Sequence, residues 1–285
     1  MQDRIAKGTP VRFTLNNTII GFIGAGNMAN SLIRGLLTKG KPPSTVLASD
    51  VDAIKLESLK KETKIETMSN QENVDRADVI VLAIKPQIMK SVCLDLDLSD
   101  PSKLVISIAA GITVTQLEKW LDKGSAIVRC MPNTPALIGK GATGMFANKH
   151  VRENQRLLAQ EIMETVGISV WVESESDIDV VTAVSGSGPA YFFLFIEAME
   201  EAAQELGLSA DLARSLIYST AVGAAELANN GEDSAAELRK KVTSPGGTTQ
   251  QAIRVFESHD FKNLIHKALT AARNRSIELA KESSN

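Results

Sequence analysis

Two stretches of this chain, more than 200 residues apart, have the residue types to hold anions on backbone N–H groups. The first is Ile19-Ile-Gly-Phe-Ile-Gly24-Ala-Gly26-Asn-Met-Ala29, an apolar run that enters a G-x-G-x-x-A turn. In that spacing Gly24 makes the tight turn, Gly26 lets the backbone approach a phosphate, and Ala29 lets the next helix pack close to the strand. The helix N-terminus then offers free N–H groups and the positive end of its dipole, which suits the pyrophosphate of a dinucleotide. A glycine-rich turn without a ligand is the bland alternative. The second stretch, Thr243-Ser-Pro-Gly-Gly-Thr-Thr249, is a glycine loop with two threonines at the start of an apolar-periodic segment. Such a helix start presents several N–H groups, to which Ser244, Thr248 or Thr249 could add hydroxyls. It could bind a carboxylate or simply cap a helix, and the loop alone leaves both open.

Ala48-Ser49-Asp50 ends the second apolar run, about where the ribose partner of a dinucleotide belongs. Ser49 could hydrogen-bond a 2′-phosphate, whereas the Asp50 carboxylate suits a free 2′-hydroxyl and repels a phosphate. No arginine follows closely and Lys55 is the nearest cation, so the residues tip toward NADH over NADPH. A solvated turn residue is the other reading of Asp50. Val81-Leu-Ala-Ile-Lys85-Pro86 and Ser107-Ile-Ala-Ala-Gly111 are the next two strand edges that a cofactor lying outside the carboxyl ends would cross. Lys85 either contacts the cofactor or is a surface lysine before a helix-starting proline.

A nicotinamide site implies hydride transfer, a step the cofactor carries itself. What matters is the acceptor. A carbonyl needs an acid for the developing alkoxide, commonly His, Lys or Tyr. Here His150, His259, His266 and Tyr191 read more readily as surface or packing residues, and no Ser/His/Asp or metal-ligand constellation stands out. A protonated imine already bears the charge that hydride cancels. Such a site needs an anion hole, a hydrogen-bond partner for nitrogen and a rigid platform, which returns attention to Ser244–Thr249.

Holding these groups requires two kinds of structure. Short apolar runs occur at Ile19–Ile23, Val46–Ala48, Val79–Ile84, Leu104–Ile108, Ala126–Cys130 and Ile168–Val172, with amphipathic stretches such as Ser31–Leu37 and Ala53–Lys60 between the first few. Strands apolar throughout, alternating with helices, predict a doubly wound α/β domain whose parallel sheet is covered on both faces. After Asp177 the pattern turns helical: Pro189–Leu206, a helix capped by Ser209 and running to about Ala228, one opened by the capping-box spacing of Ser234 and Glu237, and a last one from Asp260 to about Lys281. The predicted division is therefore an irregular extension over 1–17, an α/β domain over 18–175 and an all-α domain over 176–285. Residues 190–203 are apolar on most of their circumference, and 219–228 are nearly all small, more apolar surface than so short a helical region can bury alone. That predicts a dimer interface.

Composition excludes several classes. A net charge of −3 with both signs interspersed gives no footprint for nucleic acid. The apolar runs are strand-sized, against the roughly 18–20 residues of a membrane span. Cys93 and Cys130 alone cannot build a disulfide framework or a zinc site, and read as buried structural thiols of a cytoplasmic protein.

Five patterns, in order along residues 18–280, together resemble the pyrroline-5-carboxylate reductase family. They are Gly21-Phe-Ile-Gly-Ala-Gly26, Ala83-Ile-Lys-Pro86, Val128-Arg-Cys-Met-Pro-Asn-Thr-Pro135, Val184-Ser-Gly-Ser-Gly-Pro-Ala-Tyr191 and Ser244-Pro-Gly-Gly-Thr-Thr249. The resemblance implies a Rossmann-type domain followed by a helical domain, interleaved as a homodimer and often assembled into a decamer. It implies reduction of 1-pyrroline-5-carboxylate, a cyclic imino acid, to L-proline with NADPH or NADH, the last step of proline biosynthesis. The family's cofactor contacts would fall on Ile23, Gly24, Ala25, Gly26, Asn27, Met28, Ser49, Asp50, Asn70, Ala83, Ile84, Lys85, Pro86, Ile108, Ala109 and Ala110. Its substrate contacts would fall on Ser244, Gly246, Gly247, Thr248, Thr249, Glu175 and Glu232, with Thr249 at the ring nitrogen and the Thr248 N–H on the carboxylate. Two positions depart from the pattern: Asp50 replaces a neutral residue common in NADPH-preferring members, and Lys241 stands where some members have Asn. Rival readings are a β-hydroxyacid dehydrogenase, for which Lys240 and Lys241 would be the nearest catalytic lysines, and a non-catalytic dinucleotide-sensing regulator.

Overall fold

The structure is a computed structural model that describes residues 14–121 and 124–283. Most of the extension expected over 1–17 therefore lies outside the described residues. The chain parts into two compact units, one up to Gly186 that resumes at Arg273, the other Ser187–Ala272.

In the first unit, β1 (Ile20–Ile23) leads to α1 (Asn27–Thr38), β2 (Val46–Ser49), α2 (Ala53–Thr63), β3 (Glu66–Thr67), α3 (Asn70–Arg76), β4 (Val79–Leu82) and α4 (Pro86–Leu94). Then come β5 (Leu104–Ser107), α5 (Val114–Trp120), β6 (Ala126–Met131), β7 (Gly141–Ala147), α6 (Glu153–Met163) and β8 (Gly167–Trp171). One sheet takes the order β3-β2-β1-β4-β5-β6-β7-β8. Its strands alternate between two apolar layers. Ile20, Phe22, Val79, Val81, Leu104 and Ile106 face one, with Leu32, Leu36 and Ile162. Ile23, Ile80, Leu82, Val105 and Ile127 face the other, with Val74, Met89 and Leu117. Both faces are covered, so β1 and β4 are apolar throughout, and the one charged side chain inside β6, Arg129, is buried.

The sheet is not wholly parallel as expected: β7 runs antiparallel to β6 and parallel to β8. The link between β6 and β7 is a short 3₁₀ turn, Thr134–Ile138, closed by Gly139 at φ +71. A parallel return would need a crossover of a dozen or more residues. β7 itself was hidden by its glycines, which strands disfavour. They answer a packing demand: a Cβ on Gly144 would lie 2.6 Å from the Val181 side chain, and one on Gly141 2.9 Å from the Val166 carbonyl.

Helix starts follow local chemistry. Asp52 caps α2, and Ser69 and Thr113 close capping boxes on α3 and α5. Lys41 is buried and donates to the Leu15 and Thr18 carbonyls at 2.6 Å each, tying the start of the described chain to the turn after α1. Burial pulls its ammonium down to about 8. Cys93 and Cys130 are free and buried, as expected of structural thiols, and burial pushes the Cys93 thiol up to about 12.

From Asp177 the chain is helical: α7 (Asp177–Val181), a π turn (Thr182–Gly186), α8 (Gly188–Glu205), α9 (Ala210–Asn230), α10 (Ala235–Lys241), α11 (Thr248–Ser258) and α12 (Phe261–Glu282). Ser209 stands at the N-cap of α9 without a side-chain capping bond, whereas Ser234 and Glu237 form the expected capping box on α10. The helical pattern begins near residue 177, but α7, the π turn and the end of α12 belong to the first unit. Within the second unit α8 packs beside α9, and Phe195, Phe256 and Phe261 stack in a tilted row with centroids 6.4 and 5.4 Å apart. Its only buried large apolar side chain among the described residues is Ile217, while Phe192, Phe193, Leu194, Leu216 and Val222 are exposed. The apolar runs are thus not all strand-sized. The helical stretch Asp177–Glu205 contains an 18-residue window of mean hydropathy 1.3 and passes a membrane-span test of length and composition, because α8 is apolar nearly all round.

Candidate active site

The parallel register sets Ile23, Ser49, Leu82 and Ser107 side by side at the carboxyl edge of β1, β2, β4 and β5. The expected cofactor residues Gly24 to Met28, Asp50, Ala83 to Pro86 and Ile108 to Ala110 all follow directly from those ends. β1 lies between β2 and β4, where the strand order reverses and open α/β sheets bind ligands.

Gly24 adopts φ +100, and a Cβ there would lie 2.4 Å from the Ala83 carbonyl. Only glycine fits. Its N–H donates to the Ser49 carbonyl at 2.7 Å, and Ala83 N–H donates to the Ile23 carbonyl at 2.8 Å. Gly26 is the N-cap of α1, and the first helical bond runs from Asn30 N–H to its carbonyl. The N–H groups of Asn27, Met28 and Ala29 precede that bond. A Cβ on Gly26 would meet nothing within 4 Å, so open space lies over the loop. These residues fit the pyrophosphate of a dinucleotide.

Asp50 is not a solvated turn residue. Its Oδ2 accepts the Ala25 N–H at 2.7 Å and its Oδ1 the Asp52 N–H at 2.9 Å, which braces the glycine loop against the end of β2. The Ser49 hydroxyl, expected to be able to meet a 2′-phosphate, is instead 1% exposed and faces the Phe22 carbonyl and Asn73. That expectation is corrected: as the last residue of β2, Ser49 points its side chain into the unit. Asn70 opens α3 and is half-buried, while Lys85 is exposed at the N-cap of α4.

Sequence reasoning missed Asn73. Its Nδ2 donates to the Phe22 carbonyl at 2.9 Å, and its Oδ1 occupies the place a Cβ on Gly21 would take, 1.9 Å away. The glycine in an otherwise apolar strand was the available signal. It also missed Arg129, 3% exposed on β6. The guanidinium donates to Glu175 Oε1 at 2.9 Å and lies 3.9 Å from Asp179, which accepts the Ser276 hydroxyl at 2.7 Å. Glu175 Oε1 also accepts the Val114 N–H at 2.7 Å. The structure therefore gives Glu175, expected at the substrate, a bracing role inside the first unit.

In the second unit, Ser244–Gly247 forms a turn with Gly246 at φ +74. The expected threonine cap is absent, because Gly247 is the N-cap of α11. Gly246 N–H donates to Gln250 Oε1 at 2.9 Å and Gly247 N–H to the Ser244 carbonyl at 3.1 Å. Neither glycine N–H is left over for an anion. The first helical bond runs from Gln251 N–H to Gly247, so the N–H groups of Thr248, Thr249 and Gln250 point out of the helix start. Thr249 is half-buried, Ser244 and Thr248 exposed. Glu232 is exposed in the turn after α9, and its neighbour Asp233 pairs with Lys241 at the end of α10. That pairing fixes Lys241 at the edge of the loop; neither it nor Lys240 lies inside a long core helix, as the β-hydroxyacid dehydrogenase reading would want. Among the described residues no cluster could hold a metal ion.

Comparison with known proteins decides between the readings. A pyrroline-5-carboxylate reductase of Pseudomonas aeruginosa is 49% identical over 92% of this chain and 97% of its own length. This chain belongs to the pyrroline-5-carboxylate reductase family. The family's dimerisation model matches residues 175–279, and a model described as NADP oxidoreductase coenzyme F420-dependent matches residues 19–111. Among solved structures, a pyrroline-5-carboxylate reductase from Coxiella burnetii superposes with a TM-score of 0.90 at 47% identity, covering 93% of this chain and 99% of that one. One from Plasmodium falciparum, solved with NADP bound, gives 0.83 at 32% identity, covering 94% and 100%. Membership in this family explains why no acid for an alkoxide was found in the sequence.

Proposed function

We propose that this protein reduces 1-pyrroline-5-carboxylate to L-proline with NADPH or NADH, in the cytoplasm, as the last step of proline biosynthesis. The reading rests above all on the relative that is 49% identical over nearly the whole of both chains. The substrate is a cyclic imino acid, bound with its nitrogen protonated. When bound, the reduced nicotinamide supplies a hydride. The hydride adds to C5, the C=N electron pair moves to nitrogen, and the resulting amine takes a proton from water. No strong acid at carbon is required.

The N–H groups of Asn27, Met28 and Ala29 would hold the diphosphate, and the loops at Ala83–Pro86 and Ile108–Ala110 would meet the rest of the dinucleotide. The substrate carboxylate sits on the N-terminus of α11, with Thr248, Thr249 and Gln250 donating. The Thr249 hydroxyl accepts from the ring nitrogen, and Ser244, Gly246, Gly247 and Glu232 shape the loop around it. Glu175 acts through Arg129 and the start of α5. In this reading residues 18–175 carry the cofactor, and 176–285 bind substrate and form the homodimer, with a decamer as the higher assembly. The exposed aromatic surface of α8 supports that arrangement.

The test is an assay of the purified protein with the cyclic imine and each reduced cofactor. Consumption of the reduced cofactor with formation of L-proline is expected; the absence of turnover with both cofactors would reject the reading.

A further inference from the structure

The proposed reaction can run on either reduced nicotinamide, and the end of β2 chooses between them. Resting on that reading, we propose that this chain selects NADH over NADPH, with Asp50 and Asp52 excluding a 2′-phosphate. In a Rossmann-type unit the adenosine ribose lies over the turn after β2. A 2′-phosphate there needs a hydroxyl, a backbone N–H or a cation, and most of the nearby candidates are already engaged.

The Ser49 hydroxyl is buried against Phe22 and Asn73. The N–H groups of Ile54 and Lys55, which open α2, donate to Asp52 Oδ1 at 3.1 Å each. The Asp52 and Ala25 N–H groups donate to the two oxygens of Asp50. Lys55 Nζ lies 3.2 Å from Asp52 Oδ2, so the nearest cation is paired. The N–H of Lys55 is the chief cause holding the Asp52 carboxyl below the usual range. A phosphate of about −1.5 to −2 charge would therefore enter beside two carboxylates, with the nearest lysine already paired.

A ribose diol meets the opposite situation. A carboxylate has about four acceptor positions, and Asp50 uses two for backbone N–H groups. Two remain for the 2′- and 3′-hydroxyls. Because both oxygens are already anchored, little further ordering is needed when the ribose arrives.

The test is direct binding of NADH and NADPH to the full-length protein by calorimetry, with steady-state rates beside it. NADH should bind tighter by about tenfold or more. Asp50→Asn keeps an acceptor for the Ala25 N–H but removes the charge, and should narrow the ratio by about tenfold, mainly by tightening NADPH. Val51→Arg is a second route, because Val51 is 97% exposed and takes no part in these bonds. It should tighten NADPH selectively without disturbing the loop. Equal binding or an NADPH preference in the native protein overturns the selection, as does an unchanged ratio in both variants. NADH preference without turnover of the imine would reject the reductase reading and leave the selection standing. Turnover with an NADPH preference would do the reverse, and failure to bind either cofactor would sink both.

Discussion

The two units of this chain solve burial in different ways. The first surrounds its sheet with helices on both faces, and its central strands are buried within a single chain. The second has helices of up to 21 residues whose aromatic and aliphatic side chains mostly meet solvent. A unit with its own core carries its own stability. A unit without one depends on a partner, and its apparent stability should vary with protein concentration. The contrast teaches where each half of the proposed chemistry belongs: the proposed cofactor loops sit on the sheet edge of the unit with its own core, and the proposed substrate loop sits on helices whose apolar faces are exposed.

The sharpest way to break this contrast is to charge the exposed face of α8. Phe193→Asp should give a monomer by light scattering and lower turnover by about 100-fold or more, with cofactor affinity within about twofold of native. Retained dimers with full activity would remove the distinction. Next is the buried cation of the first unit. Arg129→Ala leaves Glu175 and Asp179 without their partner and should cost about 3 kcal/mol in chemical denaturation, at the low end for a buried pair because Glu175 is partly exposed. The loss should not depend on protein concentration. Thr249→Ala should lower kcat/KM by about 10–100-fold through one lost hydrogen bond, while the affinity for cofactor stays unchanged. Equal turnover would return Thr249 to the role of a helix-start residue. The smallest effect is expected for Gln250→Ala, which frees the Gly246 N–H; about 1 kcal/mol of lost loop stability should appear as a raised KM.

Much of the first unit was legible because its central strands are nearly all apolar, a pattern that a sheet covered on both faces requires. The glycine loop was legible because Gly24 answers a local steric demand and Gly26 leaves open space over the helix start. β7 was not, since Gly141 and Gly144 respond to Val166 and Val181, residues that no local pattern connects to them. The direction of the Ser49 hydroxyl depended on which face of β2 it occupies. Asn73 and Arg129 were missed for a related reason: Asn73 meets Phe22 from 51 positions away and Arg129 meets Glu175 from 46. At the Ser244–Thr249 loop the turn was legible, but not the bond by which Gln250 takes up the Gly246 N–H from inside the helix.

The end of α12 has a consequence for the order of synthesis. Gln116 donates to the Ala280 carbonyl, Leu279 fills the space that a Cβ on Gly111 would enter, and Ser276 donates to Asp179. All three contacts belong to the first unit, yet their helical partners are translated after the whole of the second. Domains usually fold as they leave the ribosome, N-terminal first. Here the sheet can assemble early, but the flank around α5 stays open until residues 276–280 emerge. A nascent chain stalled inside α11 would leave that flank uncovered.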